Sequence, residues 1–342
     1  MTRINRRQFF ILGGAALGGT ALARTFSDSS LSQRTALQRK QSAKLTELRL
    51  ESGFAQLNVA GQTARLMTYN AQFPGPVLRV SEGDAVRLTY TNRLNEPSNL
   101  HLHGLHISPK IDQPLLKVAP GASHTYEFTL PKGSSGTMWY HPHAHGRVAA
   151  QMGAGLVGAL IVAGPLDALP ELRAAEEQVL ILKDLALVNG AAQPTDAMDW
   201  MRGQEGELQL VNGKLQPTLR AQKATLRLRI INASNARYYR LKLEDHPLHL
   251  IATDGGFVEK SVMLEELLLA PGERAEVLVR LTREGSFKLQ NLPYDRGGMM
   301  GGSGMGGSGM SGTNAGGSSQ TTTTLMTVIA RRTPNRCRCP RA

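Results

Sequence analysis

Three short landmarks occur twice in the same order, and this repeat limits what the chain can fold into more than any other feature. Asn70-Ala71-Gln72-Phe73-Pro74-Gly75-Pro76-Val77-Leu78-Arg79 is echoed by Asn212-Gly213-Lys214-Leu215-Gln216-Pro217-Thr218-Leu219-Arg220. Each is followed by an alternating segment that closes on asparagine, Tyr90-Thr91-Asn92 and Ile230-Ile231-Asn232. Ala119-Pro120-Gly121 and Ala270-Pro271-Gly272 then each lead into another such segment. With 342 residues the chain has room for about two domains, so two copies of one fold are expected. Residues 77–80, 85–90, 124–129 and 156–162 read as strands, broken by Gly, Pro and Asn. That cadence predicts an all-β chain with tandem sandwich domains over 48–165 and 166–330.

The formal net charge of +12 suggests a nucleic-acid partner until it is located. Residues 1–50 hold nine Lys/Arg against Asp28 and Glu47, and residues 331–342 hold five Arg and no acid. The body between them balances at 25 against 25, leaving no basic face for phosphates. No nucleic-acid partner is expected.

Residues 1–23 read as an export signal. Asn5-Arg6-Arg7-Gln8-Phe9-Phe10 resembles a twin-arginine signal, residues 9–22 are apolar, and Ala21-Leu22-Ala23 supplies a cleavage site. Fourteen apolar residues are short for a membrane span. A periplasmic protein delivered by the twin-arginine machinery is expected. Residues 24–47 read as a flexible polar lead-in. The two cysteines, Cys337 and Cys339, are too close together to close a useful disulfide loop.

Residues 297–319 form a Gly/Ser/Met tract with Met299, Met300, Met305 and Met310 among eleven glycines. Thioethers favour Cu(I), so these methionines are candidate Cu(I) ligands; a low-complexity linker accounts for them equally well. Strand character resumes from Thr321 to Ala330. Residues 331–342 share no pattern with the rest and read as an aberrant basic tail.

Six of nine histidines lie in two clusters, His101-Leu102-His103-Gly104-Leu105-His106 and Trp139-Tyr140-His141-Pro142-His143-Ala144-His145-Gly146. On a strand, residues two apart share a face, so each His-X-His can present two imidazoles together. Neutral imidazole is the commonest metal ligand near neutral pH. Two such pairs, each at the end of an expected strand, point to a metal site.

These clusters and their flanks resemble the multicopper oxidases, the family of laccases, bilirubin oxidases and bacterial copper-efflux oxidases. The likeness runs through Gly136-Thr137-Met138-Trp139-Tyr140-His141-Pro142-His143, Gln151 and Gly155-Leu156-Val157-Gly158-Ala159-Leu160-Ile161-Val162. Asp245-His246-Pro247-Leu248-His249-Leu250-Ile251 and Leu269-Ala270-Pro271-Gly272-Glu273-Arg274 extend it into the second half. The resemblance implies tandem cupredoxin (plastocyanin-like) Greek-key sandwiches and a copper cofactor. It further implies that electrons from phenolic or Cu(I) donors enter at a blue copper and pass to a three-copper cluster that reduces dioxygen.

By that resemblance His101 falls on the mononuclear member of the cluster, and His103, His141 and His143 on the coupled pair. Asp112 matches an acid thought to relay protons, and is equally a turn aspartate before Pro114. His106 and His145 are not ligands in the pattern. The family's third-domain motifs, His-Pro-X-His-X-His and His-Cys-His, do not occur. His246-Pro247-Leu248-His249-Leu250-Ile251 has Ile251 where a third histidine belongs, and reads as a non-binding copy of the landmark. The chain therefore carries four of the eight cluster histidines and reads as truncated after the second domain. Two readings stay open. One is a laccase-like or cuprous oxidase; the other is a catalytically inactive, copper-sequestering periplasmic protein.

Overall fold

The computed structural model describes residues 44–296 and 321–331. The export signal, most of the lead-in, the tract with Met299, Met300, Met305 and Met310, and the tail beyond Arg331 lie outside the described residues.

Alternating inward apolar and outward polar residues build two sheets from the first half of the chain. One holds Leu45–Val59, Gln62–Tyr69, Ala85–Asn92 and Ser123–Thr129; the other holds Gly75–Ser81, Gly158–Ala163, Gly136–His141 and His101–His103. Leu50, Leu88, Tyr90 and Tyr126 of the first meet Leu78, Leu102, Tyr140 and Leu160 of the second in one core. The first strand begins inside the expected lead-in. Leu48 and Leu50 turn inward while Glu47 reaches Arg87 on the neighbouring strand, so residues 45–47 are ordered as sheet.

The second half repeats this plan. Glu176–Leu185, Leu208–Val211, Thr225–Asn232, Arg274–Arg280 and Leu248–Thr253 lie in one sheet. Thr218–Ala221, Thr323–Ala330, Gly285–Leu292 and Tyr239–Leu243 lie in the other. Pairings recur as well as elements. Leu45–Val59 runs parallel to Ala85–Asn92, as Glu176–Leu185 does to Thr225–Asn232. Gly75–Ser81 runs parallel to Gly158–Ala163, as Thr218–Ala221 does to Thr323–Ala330. These are tandem cupredoxin-like β domains.

The sequence landmarks turn out to be backbone devices. Asn70 and Asn212 both have positive φ, 52° and 51°. Each accepts a backbone N–H, from Glu51 or Ile181, and donates to a carbonyl two residues earlier, Arg49 or Val179. Asn92 and Asn232 likewise accept from Leu94 and Ser234 and donate across to Val118 and Leu269. Short polar side chains are favoured where the backbone must turn and a side chain must stand in for it.

Two features were not legible in advance. A hairpin of Leu187–Val188 and Ala191–Ala192 leaves the second half and joins the first sheet, pairing Ala191 with Arg65. The sandwiches also share a small apolar core, in which Trp139, Met152, Val157 and Ala159 meet Ile181, Ile231 and Ala233. That shared core lies directly behind the histidine clusters.

Candidate metal centre

The strand His101–His103 is the edge of its sheet and pairs antiparallel with Gly136–His141. In this register His101 stands opposite His141 and His103 opposite Trp139. Two-residue periodicity puts His101 and His103 on one face, with Leu102 turned into the core at 1% exposure. The ladder therefore gathers imidazoles from both clusters. Nitrogens of His101, His103 and His141 all lie within 4.8 Å of one another, the one such group of His, Cys, Asp or Glu among the described residues. His143 follows just past the strand end, its ring 5.2 Å from that of His101 and 6.4 Å from that of His141. The four predicted histidines thus converge, three tightly and His143 at the margin.

The partners of each ring decide which nitrogen is free. His141 is buried, and its Nδ1 lies 2.9 Å from the carbonyl oxygen of Pro142. A carbonyl only accepts, so Nδ1 carries the proton and Nε2 keeps its lone pair. That Nε2 is 3.2 Å from His103 Nδ1. His101 Nδ1 lies 2.8 Å from the Asp112 carboxylate, which fixes its proton there and leaves Nε2 as the donor atom. Asp112 also lies 3.4 Å from the backbone N–H of Leu102. The structure thus places Asp112 on His101 itself.

Burial lowers the proton affinity of the two inner rings. His103 is pushed down to about 4, first by burial and then by the positive charge of Arg274. His141 is pushed down to about 3, mainly by burial and against the hydrogen bond to Pro142. Both rings are neutral at physiological pH, the state in which imidazole binds metal. Behind them Trp139 stacks on His103 with ring centres 4.9 Å apart and a 29° tilt. The indole closes the site on the side of the shared core.

The donor set suits a late first-row ion. Neutral imidazoles are its character, as copper, zinc, nickel and iron accept. Two ligand nitrogens about 2.0 Å from one tetrahedral ion lie about 3.3 Å apart, close to the separation found for His103 and His141.

Sequence reading gave no role to the residues that hold this set in place, although Gln151 lies within the family likeness. Asn99, fully buried, accepts the backbone N–H of His143 at 2.5 Å and donates to the Leu116 carbonyl. Gln151, also fully buried, bonds Ser98, Pro97 and Glu96 and so fixes the segment that carries Asn99. Neither has a local signal, because each partner is remote in sequence. His106 and His145 are exposed, in keeping with their exclusion as ligands.

The second domain builds no matching centre among the described residues. The topological counterpart of His101–His103 is Tyr239–Leu243, which pairs with Gly285–Leu292 as the histidine strand pairs with Gly136–His141. Its residues Tyr239, Leu241 and Leu243 are core. His246 sits beyond it in the following turn, packed edge-on against Phe287 with Nδ1 on the Glu244 carbonyl. His246-Pro247-Leu248-His249 is therefore a turn and the start of the next strand, not the copy of the histidine strand that its spelling suggests.

Two family profiles, both described as multicopper oxidase, match residues 53–167 and 167–298. The chain belongs to the multicopper oxidase family. It is 34% identical over 226 residues to the multicopper oxidase mco of Staphylococcus aureus, a match covering 65% of this chain and 50% of that protein. It is 32% identical over 291 residues to the cell division protein FtsP of Escherichia coli K12, covering 82% of this chain and 60% of that one. A solved multicopper oxidase from Campylobacter jejuni, described as a metallo-oxidase, superposes with a TM-score of 0.72 at 32% identity. That superposition covers 86% of this chain and 59% of the other. The chain thus spans half to three-fifths of these relatives' lengths. Within the family, its three-histidine cluster is consistent with part of a trinuclear copper site.

Proposed function

We propose that this chain is an exported copper-binding protein whose His101, His103, His141 and His143 form the first-domain half of a trinuclear copper site. The observation that carries the reading is the 3.2 Å approach of His103 Nδ1 and His141 Nε2, with His101 beside them. In this reading copper supplies the one-electron chemistry by which dioxygen is reduced, with phenolic compounds or Cu(I) as donors.

The chain's own groups prepare that site. Asp112 holds the proton on His101 Nδ1 and the Pro142 carbonyl holds the one on His141 Nδ1, so each ring turns Nε2 outward. Trp139 packs against His103 and excludes water from its inner face. Burial keeps His103 and His141 unprotonated.

A second reading has two observations in its favour. Among the described residues a single group of potential ligands is drawn together, and the 342-residue sequence contains no His-Cys-His segment for electron entry. The alternative is copper sequestration without turnover. Kinship does not separate the two, since one relative bears an oxidase name and another a cell-division name.

The test is to load the purified chain with copper, determine stoichiometry, and follow oxygen uptake with a phenolic donor. Copper retained by wild type and lost on His103→Ala supports the half-site; retention by the variant overturns it. Sustained oxygen uptake selects the oxidase, and copper binding without uptake selects sequestration. Export is tested separately. Arg6→Lys with Arg7→Lys should hold the protein in the cytoplasm, and unchanged periplasmic delivery would refute the twin-arginine route.

A further inference from the structure

Arg274 belongs to the second domain, yet its side chain also reaches the first. It opens the strand Arg274–Arg280, two residues after Gly272 of the third landmark, and is only 5% exposed. Its Nε donates to the Thr137 carbonyl at 3.1 Å, and its Nη2 lies 3.7 Å from Met138 Sδ. Thr137 and Met138 lie on Gly136–His141, the strand that ends on His141.

Glycines show how close the approach is. A Cβ on Gly104, the residue after His103, would stand 2.5 Å from Arg274 Nη2. Gly104 also has a φ of +97°, a conformation that favours glycine whatever the space around it. A Cβ on Gly272 would stand 3.6 Å from His103 Cε1. The guanidinium of the second domain thus lies against Gly104, next to His103 in the chain, and the Gly272 turn lies beside the His103 ring.

The charge is oriented. Asp254 is the ionic partner of Arg274 and also accepts its backbone N–H at 3.0 Å. Its side chain is 42% exposed against 5% for Arg274, so the carboxylate lies on the solvent side of the pair and the guanidinium on the buried side, next to Thr137 and Met138.

We propose that Arg274 is an inter-domain positioning residue that makes the histidine half-site prefer Cu(I) to Cu(II). This rests on the reading of the site as a copper half-site. A fixed positive charge raises the energy of a bound ion in proportion to that ion's charge. The divalent ion is therefore disfavoured more than the monovalent one. One unit of ionic charge, felt through an effective dielectric near 20 at about 10 Å, corresponds to roughly tenfold in relative affinity.

The experiment measures Cu(I) affinity anaerobically against bicinchoninate and Cu(II) affinity against nitrilotriacetate, at one pH, on the full chain. Arg274→Gln should move the affinity ratio about tenfold toward Cu(II). Asp254→Asn keeps Oδ1 as an acceptor for Arg274 but removes the opposing charge, and should move the ratio toward Cu(I). Opposite shifts are a signature that mere loosening of the domain contact does not give. Ratios unchanged within twofold, or shifts of the same sign in both variants, overturn the proposal. If Arg274→Gln does not fold, Asp254→Asn decides alone: a shift toward Cu(I) supports it, and no shift or the reverse overturns it. Wild type that binds neither ion through His103 overturns the half-site reading and this proposal together. Wild type that binds through His103 with a ratio insensitive to charge overturns this proposal only.

Discussion

His103 Nδ1 and His141 Nε2 meet at 3.2 Å across a strand pair whose members come from segments 38 residues apart. They are diagonal neighbours in the ladder, since His103 is directly opposite Trp139 and His141 opposite His101. Diagonal side chains on one face of an antiparallel pair are within reach of each other. With the His141 proton committed to Pro142, the lone pair on its Nε2 accepts from His103 Nδ1–H, and a cation can take the place of that proton.

Removing either ring should therefore remove the ion. His103→Ala and His141→Ala are each expected to lower copper affinity at this site by about a hundredfold or more, beyond the 10–100-fold typical of losing an outer partner. Competition titration of the purified variants checks this; affinity within tenfold of wild type would place the ion elsewhere.

The outer partners should show that smaller effect. Asp112→Asn weakens the acceptor for His101 Nδ1, and Asn99→Ala removes the acceptor for the His143 backbone N–H. Each is expected to cost about 10–100-fold in copper affinity. Electron paramagnetic resonance of the Cu(II) forms should show altered nitrogen coupling in both. Affinity unchanged in Asp112→Asn would return that residue to a plain turn role.

What could be read from the sequence was what is local. Asn92 and Asn232 recur because each accepts a backbone N–H two residues on, within its own turn, and Asn70 and Asn212 recur because each holds a left-handed turn position; such local tasks restrict residue type wherever they occur. The His-X-His pairs were legible for the same reason, through two-residue periodicity. The Asn99–His143 and Arg274–His103 relationships were not. They depend on how strands from distant segments are brought together, and nothing beside Asn99 or Arg274 in the chain marks a partner 44 or 171 residues away. Spelling even misled at His246-Pro247-Leu248-His249, because the strand that matches His101–His103 in topology is the apolar Tyr239–Leu243.

Stability of the metal-free chain should depend on acid in a defined direction. Histidine in the unfolded chain binds a proton near 6.5, whereas folded His103 and His141 do so only near 4 and 3. Between these values the unfolded state holds more protons, so acid favours it. The contribution of the two neutral rings is present in full above pH 6.5 and is lost as pH falls through 4 and then 3. Denaturant midpoints measured from pH 7 to pH 4 should fall, and His103→Gln should flatten that slope. A slope identical in the variant would contradict the burial of an uncharged His103.

The joint between the domains should be brittle toward loss of one charge. Glu276, 1% exposed, takes both Arg227 and Arg229 and also accepts the hydroxyl of Thr137 from the first domain. Asp167 and Glu177 share the two guanidiniums but are less buried. Glu276→Gln leaves two buried cations short of a counter-charge, which costs about 3–5 kcal/mol when a buried pair is broken. Chemical denaturation should register this loss; a change below about 1 kcal/mol would show that Asp167 and Glu177 suffice.

Electron entry is where the copper-loaded chain should differ from an oxidase that turns over unaided. An intense blue colour requires a thiolate bound to Cu(II) together with imidazoles. The sequence has only Cys337 and Cys339, flanked by Arg336, Arg338 and Pro340 with no histidine beside them. The histidine cluster offers nitrogen donors alone. The Cu(II) form of the 342-residue chain is therefore expected to show weak visible absorption with nitrogen-type magnetic parameters, and no strong thiolate-to-copper band. Without such a centre, electrons from a phenol have no defined path to His101, His103 and His141, and oxygen uptake should stay at the level of free copper. Addition of a chain supplying His-Cys-His ligands should raise it only if His103 is intact. Sustained uptake by the chain alone, abolished by His103→Ala, would show instead that the half-site is completed from within, and sequestration would have to be given up.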